Sequence, residues 1–162
     1  MRFLIDLQCA QSGSRNRGIG RYALSLLDEL IPAAADNGHE VHLLLNAAFE
    51  GTIPGIQRRY PSLCEKRHVH IFHGLNASSL NHVNGYWRKL ASGIIRNFAI
   101  KSIFPDAVFC PSVFEGDSES FALLEPSSLG IPNIATQHDL IPIQMPDVYF
   151  YNDPQFESFY KG

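Results

Sequence analysis

Short apolar, β-rich runs separated by longer helical patterns set the strongest limit on what this chain can become. The runs are Phe3 to Leu7, Val41 to Leu45, His68 to Phe72, Ala107 to Cys110 and Ile131 to Thr136. Between them, apolar residues recur at spacings of three and four. Tyr22, Leu26, Leu27, Leu30 and Ile31 form such a stripe within a helix expected over Ile19 to Ala35. Trp87, Leu90, Ile94, Ile95, Phe98 and Ile103 form another within Asn81 to Phe104, which Pro105 ends. Ile53 to Tyr60 reads as a short, irregular helix, and Ser118 to Leu129 as a loop with a short helix. Strands alternating with helices predict βαβ units: an α/β, Rossmann-like parallel sheet with helices on both faces.

In such a sheet, ligands bind beyond the carboxyl ends of the strands. The segment Gly13-Ser14-Arg15-Asn16-Arg17-Gly18-Ile19-Gly20-Arg21-Tyr22 occupies that position after the first strand and opens a helix. A helix start offers free N–H groups and partial positive charge. Gly18 and Gly20 leave room for a phosphate, and Arg15, Arg17 and Arg21 add fixed charge. The set suits a diphosphate. Gly18 to Ala23 also fits the dinucleotide pattern G-x-G-x-x-A, but about ten residues separate it from its strand, and Asn46 stands where that pattern expects an acidic ribose ligand. A Walker A loop fails, because Ile19-Gly20 replaces the required Lys-Ser or Lys-Thr. A flexible loop leading into a helix is the bland alternative.

Two more strand ends carry polar groups. Ser112, Glu115, Gly116 and Asp117 follow the fourth run, in a segment suited to sugar hydroxyls. His138-Asp139 follows the fifth, where an imidazole can bond a hydroxyl or move a proton. A structural histidine and a turn aspartate fit the same residues. His68, His70 and His73 are read as ordinary strand histidines: alternation turns His73 to the other face, and the set lies at or before its strand. No metal is expected, and no Asp-x-Asp motif is present.

Composition narrows the partners. The 162 residues are 45% apolar, enough for one domain with a core, and the formal net charge is −3. No basic excess points to nucleic acid. Cys9, Cys64 and Cys110 form no Cys-x-x-Cys pair, which suggests a reducing, cytoplasmic compartment. Asp6 interrupts the first apolar run too early for a signal peptide. Near the end, Asp153-Pro154 starts a helical pattern with Phe156, Phe159 and Tyr160 on one face, which reads as a helix cut short and able to drive self-association.

Together, Ile5-Asp6-Leu7-Gln8, Arg17-Gly18-Ile19-Gly20-Arg21-Tyr22, Phe114-Glu115-Gly116 and His138-Asp139-Leu140-Ile141-Pro142 resemble glycosyltransferase family 4. The order and spacing are similar to bacterial enzymes that build surface polysaccharides, many of them mannosyltransferases. The resemblance implies the N-terminal half of a GT-B fold and a retaining reaction. It implies a nucleotide-sugar such as GDP-mannose as donor, no cofactor, and a glycan or lipid-linked acceptor at the inner face of the cytoplasmic membrane. Gly18, Gly20 and Arg21 would face the donor diphosphate, and His138 with Asp139 the transferred sugar. Arg17, Ser112, Glu115 and Gly116 would meet the acceptor. The C-terminal nucleotide-sugar domain, with its paired glutamates, would lie outside these residues, leaving the chain inactive alone. A non-catalytic nucleotide or sugar-phosphate binding module is the alternative.

Overall fold

A computed structural model of the chain describes residues 1–79, 82–112, 120–122, 129–138, 141–151 and 157. In chain order the elements are β1 (Arg2–Asp6), α1 (Gly18–Asp36), β2 (Glu40–Asn46), α2 (Ile53–Arg59), α3 (Pro61–Glu65), β3 (Val69–Phe72), α4 (Gly85–Ile103), β4 (Ala107–Cys110), β5 (Asn133–Ala135), α5 (Ile141–Gln144) and α6 (Pro146–Tyr149). All strand pairings are parallel, in the order β3-β2-β1-β4-β5. From β1 the chain adds β2 and β3 on one side, then returns to add β4 and β5 on the other. The winding therefore reverses between β1 and β4, the place where doubly wound sheets open a ligand crevice.

Alternation along the strands sends the two sets of side chains to opposite helix layers. Ile5, Val41, Leu43 and Leu45 pack on Ala23, Leu27 and Ala34 of α1, and on Ile56, Tyr60 and Leu63 beyond β2. Leu4, Leu44, Phe72 and Val108 pack on Ile100 and Ile103 of α4. Leu4, Leu43, Leu44 and Leu45 are fully buried, and each contributes roughly 1.5–3 kcal/mol of apolar transfer free energy. The expected sheet with helices on both faces is thus present.

The helices differ in detail from their sequence patterns. In α1 the buried line runs through Gly20, Ala23, Leu27 and Ala34, while Tyr22 is 39% exposed. Small residues let the helix lie close to the sheet, so the packed face is turned away from the line of largest side chains. At its end, His39 N donates to Ala34 O across Gly38, whose φ of +68° suits a residue without Cβ. α3 was not expected from the pattern.

In α4 the reversal is larger. Lys89, Ser92, Gly93 and Arg96 are buried together with Ile100 and Ile103. Trp87, Leu90, Ile94 and Phe98, the expected core stripe, are exposed. Arg96 turns inward because its partner, Asp6, is buried at the end of β1. The Ser118 to Leu129 expectation and the C-terminal aromatics Phe156, Phe159 and Tyr160 fall largely or wholly outside the described residues.

A row of imidazoles crosses β2 and β3. The His42 ring stacks on His68, with centroids 3.9 Å apart, and on His70 at 5.2 Å. Burial first, and then the proximity of His68, push the His42 pKa down to about 4, against a weaker upward pull from Glu40; His70 and Arg2 also lower it. In the unfolded chain the same ring titrates near 6.5. Between those values the unfolded state holds a proton that the folded state refuses, so stability falls as pH drops from about 6.5 to 4. The loss from this ring is on the order of 3 kcal/mol. In metal-free buffer the urea midpoint should fall over that window, and His42→Phe should remove most of the slope. An unchanged slope in the variant would assign the acid sensitivity elsewhere.

Candidate functional site

The carboxyl edge of the sheet rests on a buried polar network. Arg96 Nε donates to Asp6 Oδ2 at 2.5 Å, with both side chains essentially inaccessible. Gln8 Nε2 donates to both Asp6 oxygens at 3.1 Å. Gln8 Oε1 accepts from Asn46 Nδ2 and from the Ala122 N–H, each at 2.9 Å. The Gln11 amide pairs with the Asn46 backbone, accepting from N at 2.7 Å and donating to O at 3.1 Å. Residues at the ends of β1 and β2 are thereby tied to one another and to the segment at 120–122. Buried polar groups bonded to one another in this way fix geometry. Within this network, Arg96 Nη2 has no hydrogen-bond partner among the described residues.

Above this floor the chain makes two 3-10 turns, Gln8–Ala10 and Gly13–Asn16, rather than the plain loop expected. Ser12 Oγ accepts from Ser14 N at 3.2 Å and holds the second turn. Arg17 is extended and leads into α1 without a side-chain cap. Arg15, Arg17 and Arg21 are exposed, and none makes an ion pair among the described residues. Gly18 is exposed with open space where a Cβ would stand. Gly20 is different. It is buried, and a Cβ there would lie 2.5 Å from Arg15 Cα and Arg15 O. Its lack of a side chain is required by the packing of the preceding turn.

The start of α1 meets the end of β5. Tyr22 Oη lies 3.3 Å from Thr136 Oγ1, and the Tyr22 ring stands edge-on to His138 with centroids 5.0 Å apart. His138 Nε2 donates to Pro111 O, just beyond β4, at 2.6 Å. A carbonyl only accepts, so in this geometry Nε2 carries the hydrogen and Nδ1 is the acceptor nitrogen. Residues 17–22 and 136–138, distant in sequence, are therefore neighbours, joined through the residue that follows β4.

Ser112 corrects an expectation. It is fully buried, where an acceptor contact requires an accessible hydroxyl. Glu115, Gly116 and Asp139 lie outside the described residues. A cleft of about 690 Å³ opens beside the loop, lined by Gln11, Arg15, Asn16, Thr52, Arg58 and Arg59 among others. Sequence reasoning passed over this cleft and over Gln11 and Arg96, and gave Gln8 no role of its own. The available signal was the pair of polar residues, Asp6 and Asn46, that end otherwise buried runs: a charge at such a position needs a partner.

A doubly wound α/β domain with polar groups from β1, β4 and β5 gathered at its carboxyl edge is a fold shared by many ligand-binding domains. Comparison with curated proteins is more specific. The chain is 32% identical over 165 residues to a serotype-specific mannosyltransferase WbdA of Escherichia coli, covering all of this chain and 19% of that protein. A second WbdA of Escherichia coli is 30% identical over 127 residues, covering 76% of this chain and 15% of the relative. The chain spans about a fifth or less of the length of these relatives. It is a relative of one segment of a mannosyltransferase. No family model matches it, and no solved structure matches.

Proposed function

We propose that the chain is the acceptor-side half of a two-domain, GT-B, retaining glycosyltransferase of the family 4 type. In this reading it moves mannose from GDP-mannose to a growing surface polysaccharide or lipid-linked glycan. The meeting of Tyr22 with Thr136 and His138 carries the proposal, because it joins the two most specific motifs at the edge where this fold gathers ligands. Similarity to a mannosyltransferase along the whole chain supports the sugar.

The chemistry follows from the edge. As the bond between sugar and diphosphate loosens, negative charge grows on the leaving oxygen. The N–H groups that open α1, around Gly18, and the cation of Arg21 stabilise that charge electrostatically. His138, held through Nε2 by Pro111 O, offers Nδ1 to a sugar hydroxyl. Asp139 stands next to it in sequence. Glu115, Gly116 and Arg17 belong to the acceptor side. A second domain, carrying most of the nucleotide-sugar contacts, completes the site.

Peripheral attachment at the inner face of the cytoplasmic membrane fits a lipid-linked acceptor. Tyr86, Trp87, Leu90, Ile94 and Phe98 line the outward face of α4, a helix with no acidic residue, which is a surface suited to an anionic interface. Among the described residues, no helix is long and apolar enough to cross a membrane.

The test is transfer from radiolabelled GDP-mannose, by the chain alone and by a longer form that includes the second domain. The long form should transfer mannose, and the chain alone should not. In the long form, His138→Ala should lower kcat about a hundredfold or more with less effect on KM for donor. Efficient turnover by the chain alone would overturn the two-domain reading. A long form inert toward every nucleotide-sugar would overturn the transferase reading.

A further inference from the structure

At the amino ends of β2 and β3, far along the strands from the ligand edge, a carboxylate and three imidazoles meet. One ligand atom from each of Glu40, His42 and His68 lies within 4.8 Å of the others. His42 Nε2 is 3.4 Å from Glu40 Oε2. That is the spacing between two ligands of a tetrahedral ion with bonds of about 2.0–2.1 Å. On the other side of the ring, His42 Nδ1 is 2.9 Å from His70 Nε2. When His70 Nε2 accepts this bond, His42 carries its hydrogen on Nδ1 and presents the Nε2 lone pair toward Glu40. An outer hydrogen bond of this kind orients and tunes a metal-bound imidazole.

We propose that Glu40, His42 and His68 form a binding site for a divalent transition-metal ion of the zinc class, with His70 as the positioning residue behind His42. Two imidazoles and one carboxylate favour such an ion over magnesium or calcium, which take oxygen ligands. The strands supply the convergence. The Leu43 N–H bonds His68 O at 2.8 Å, which sets His42 beside His68 across the two strands. His68 is half-buried and Glu40 exposed, so an ion reaches the cluster from solvent and both side chains have room to close on it.

Arg2 is the competitor. Its Nε lies 3.3 Å from the same Glu40 oxygen. It also donates through Nη1 to Ile103 O at 2.6 Å, an anchor that remains when Nε gives way to the ion. The neighbouring cation weakens the site relative to a closed four-ligand zinc centre. Three protein ligands leave a fourth position for water. An ion here would staple the edge strand β3 to β2, a structural role independent of the sugar chemistry proposed above.

The probe is zinc alone, added to tag-free, chelator-treated protein. One equivalent should bind by calorimetry, and excess zinc should raise Tm by roughly 5 °C or more. Cobalt in its place should give the intense visible absorption of a four-coordinate site. His68→Ala and Glu40→Gln should each weaken binding at least about tenfold and lose the cobalt spectrum, while His82→Ala, outside the cluster, changes neither. No saturable binding at submillimolar zinc overturns the proposal. So does binding of full strength in both His68→Ala and Glu40→Gln. Should His68→Ala melt early without metal, calorimetry on Glu40→Gln at low temperature decides.

Discussion

Replacing Arg96 by methionine should lower Tm by roughly 10–15 °C, the largest single-residue effect expected in this fold. The substitution keeps the length of the side chain and removes its charge. Asp6 would then remain fully buried with no cation paired to it among the described residues. Breaking a buried pair from one side costs about 3–5 kcal/mol, and a domain of this size loses about 2–4 °C for each kcal/mol. The damage should spread, because Gln8 holds Asn46 and Ala122 from the same end of β1. The paired variant Asp6→Leu/Arg96→Met should be less destabilised than the two single changes added together, since no lone charge is left inside. Thermal melts of the four proteins measure this. A single Arg96→Met variant as stable as the parent would show that the pair does not hold the ends of β1 and α4 together.

The second large effect is expected at Gly20, and its neighbour Gly18 makes the comparison sharp. A methyl group at Gly20 would enter the backbone of Arg15, with contacts of 2.5 Å to Cα and O. Backbone yields less readily than the tip of a side chain, so Gly20→Ala should cost roughly 1–3 kcal/mol or more and distort the turn at Gly13–Asn16. At Gly18 nothing lies within 4 Å of the added carbon. Gly18→Ala should leave Tm unchanged or raise it slightly, since alanine favours a helix over glycine by about 1 kcal/mol at most. Equal melting temperatures for the two variants would contradict the tight contact. In the longer protein, Gly18→Ala should weaken donor use without loss of stability. That result would separate a ligand contact from a packing constraint, which Gly20 alone cannot do.

The architecture was legible because it depends on coarse patterns. Runs such as Val41 to Leu45 and Ala107 to Cys110 can satisfy their apolar side chains only between two layers, and both became strands with bounds close to those expected. The helix faces were harder. In α1, Gly20 and Ala23 lie on the packed side because they are small, and a search for large apolar residues looks past them. In α4, Arg96 overrides the hydrophobic stripe, because one buried ion pair decides which way the helix turns. No local pattern around Arg96 reveals that its partner is Asp6, ninety residues earlier. The same holds for the imidazoles. Read along one strand, His68, His70 and His73 do not share a face. Across two strands, His42 and His68 are neighbours, and only the register shows it.

For the candidate site, sequence position was informative and side-chain role was less so. Placing the glycine-rich segment and His138 after strands implied a common edge, and the contacts of Tyr22 with Thr136 and His138 bring the two motifs together. The roles of Ser112 and Gly20 depended on burial, a property of their neighbours. Ser112 is fully buried just after β4, and Gly20 packs against the turn before it.

The placement of β1 at the centre of the sheet has a consequence for how the chain acquires its structure during synthesis. One edge of β1 is satisfied early, by β2, but the other waits for Ala107 to Phe109. Until then, β1 presents an open row of amide and carbonyl groups, an invitation to pair with other chains. Arg2 sharpens the dependence, since its N–H and guanidinium are claimed by Asp106 and by the Ile103 carbonyl. Gln8 waits longer still, for Ala122. A nascent chain emerging at about 5–20 residues per second therefore spends several seconds with its central strand half-clothed. Long-range closure of this kind slows folding. The residues that make the finished sheet most secure are the ones that leave the growing chain most dependent on protection.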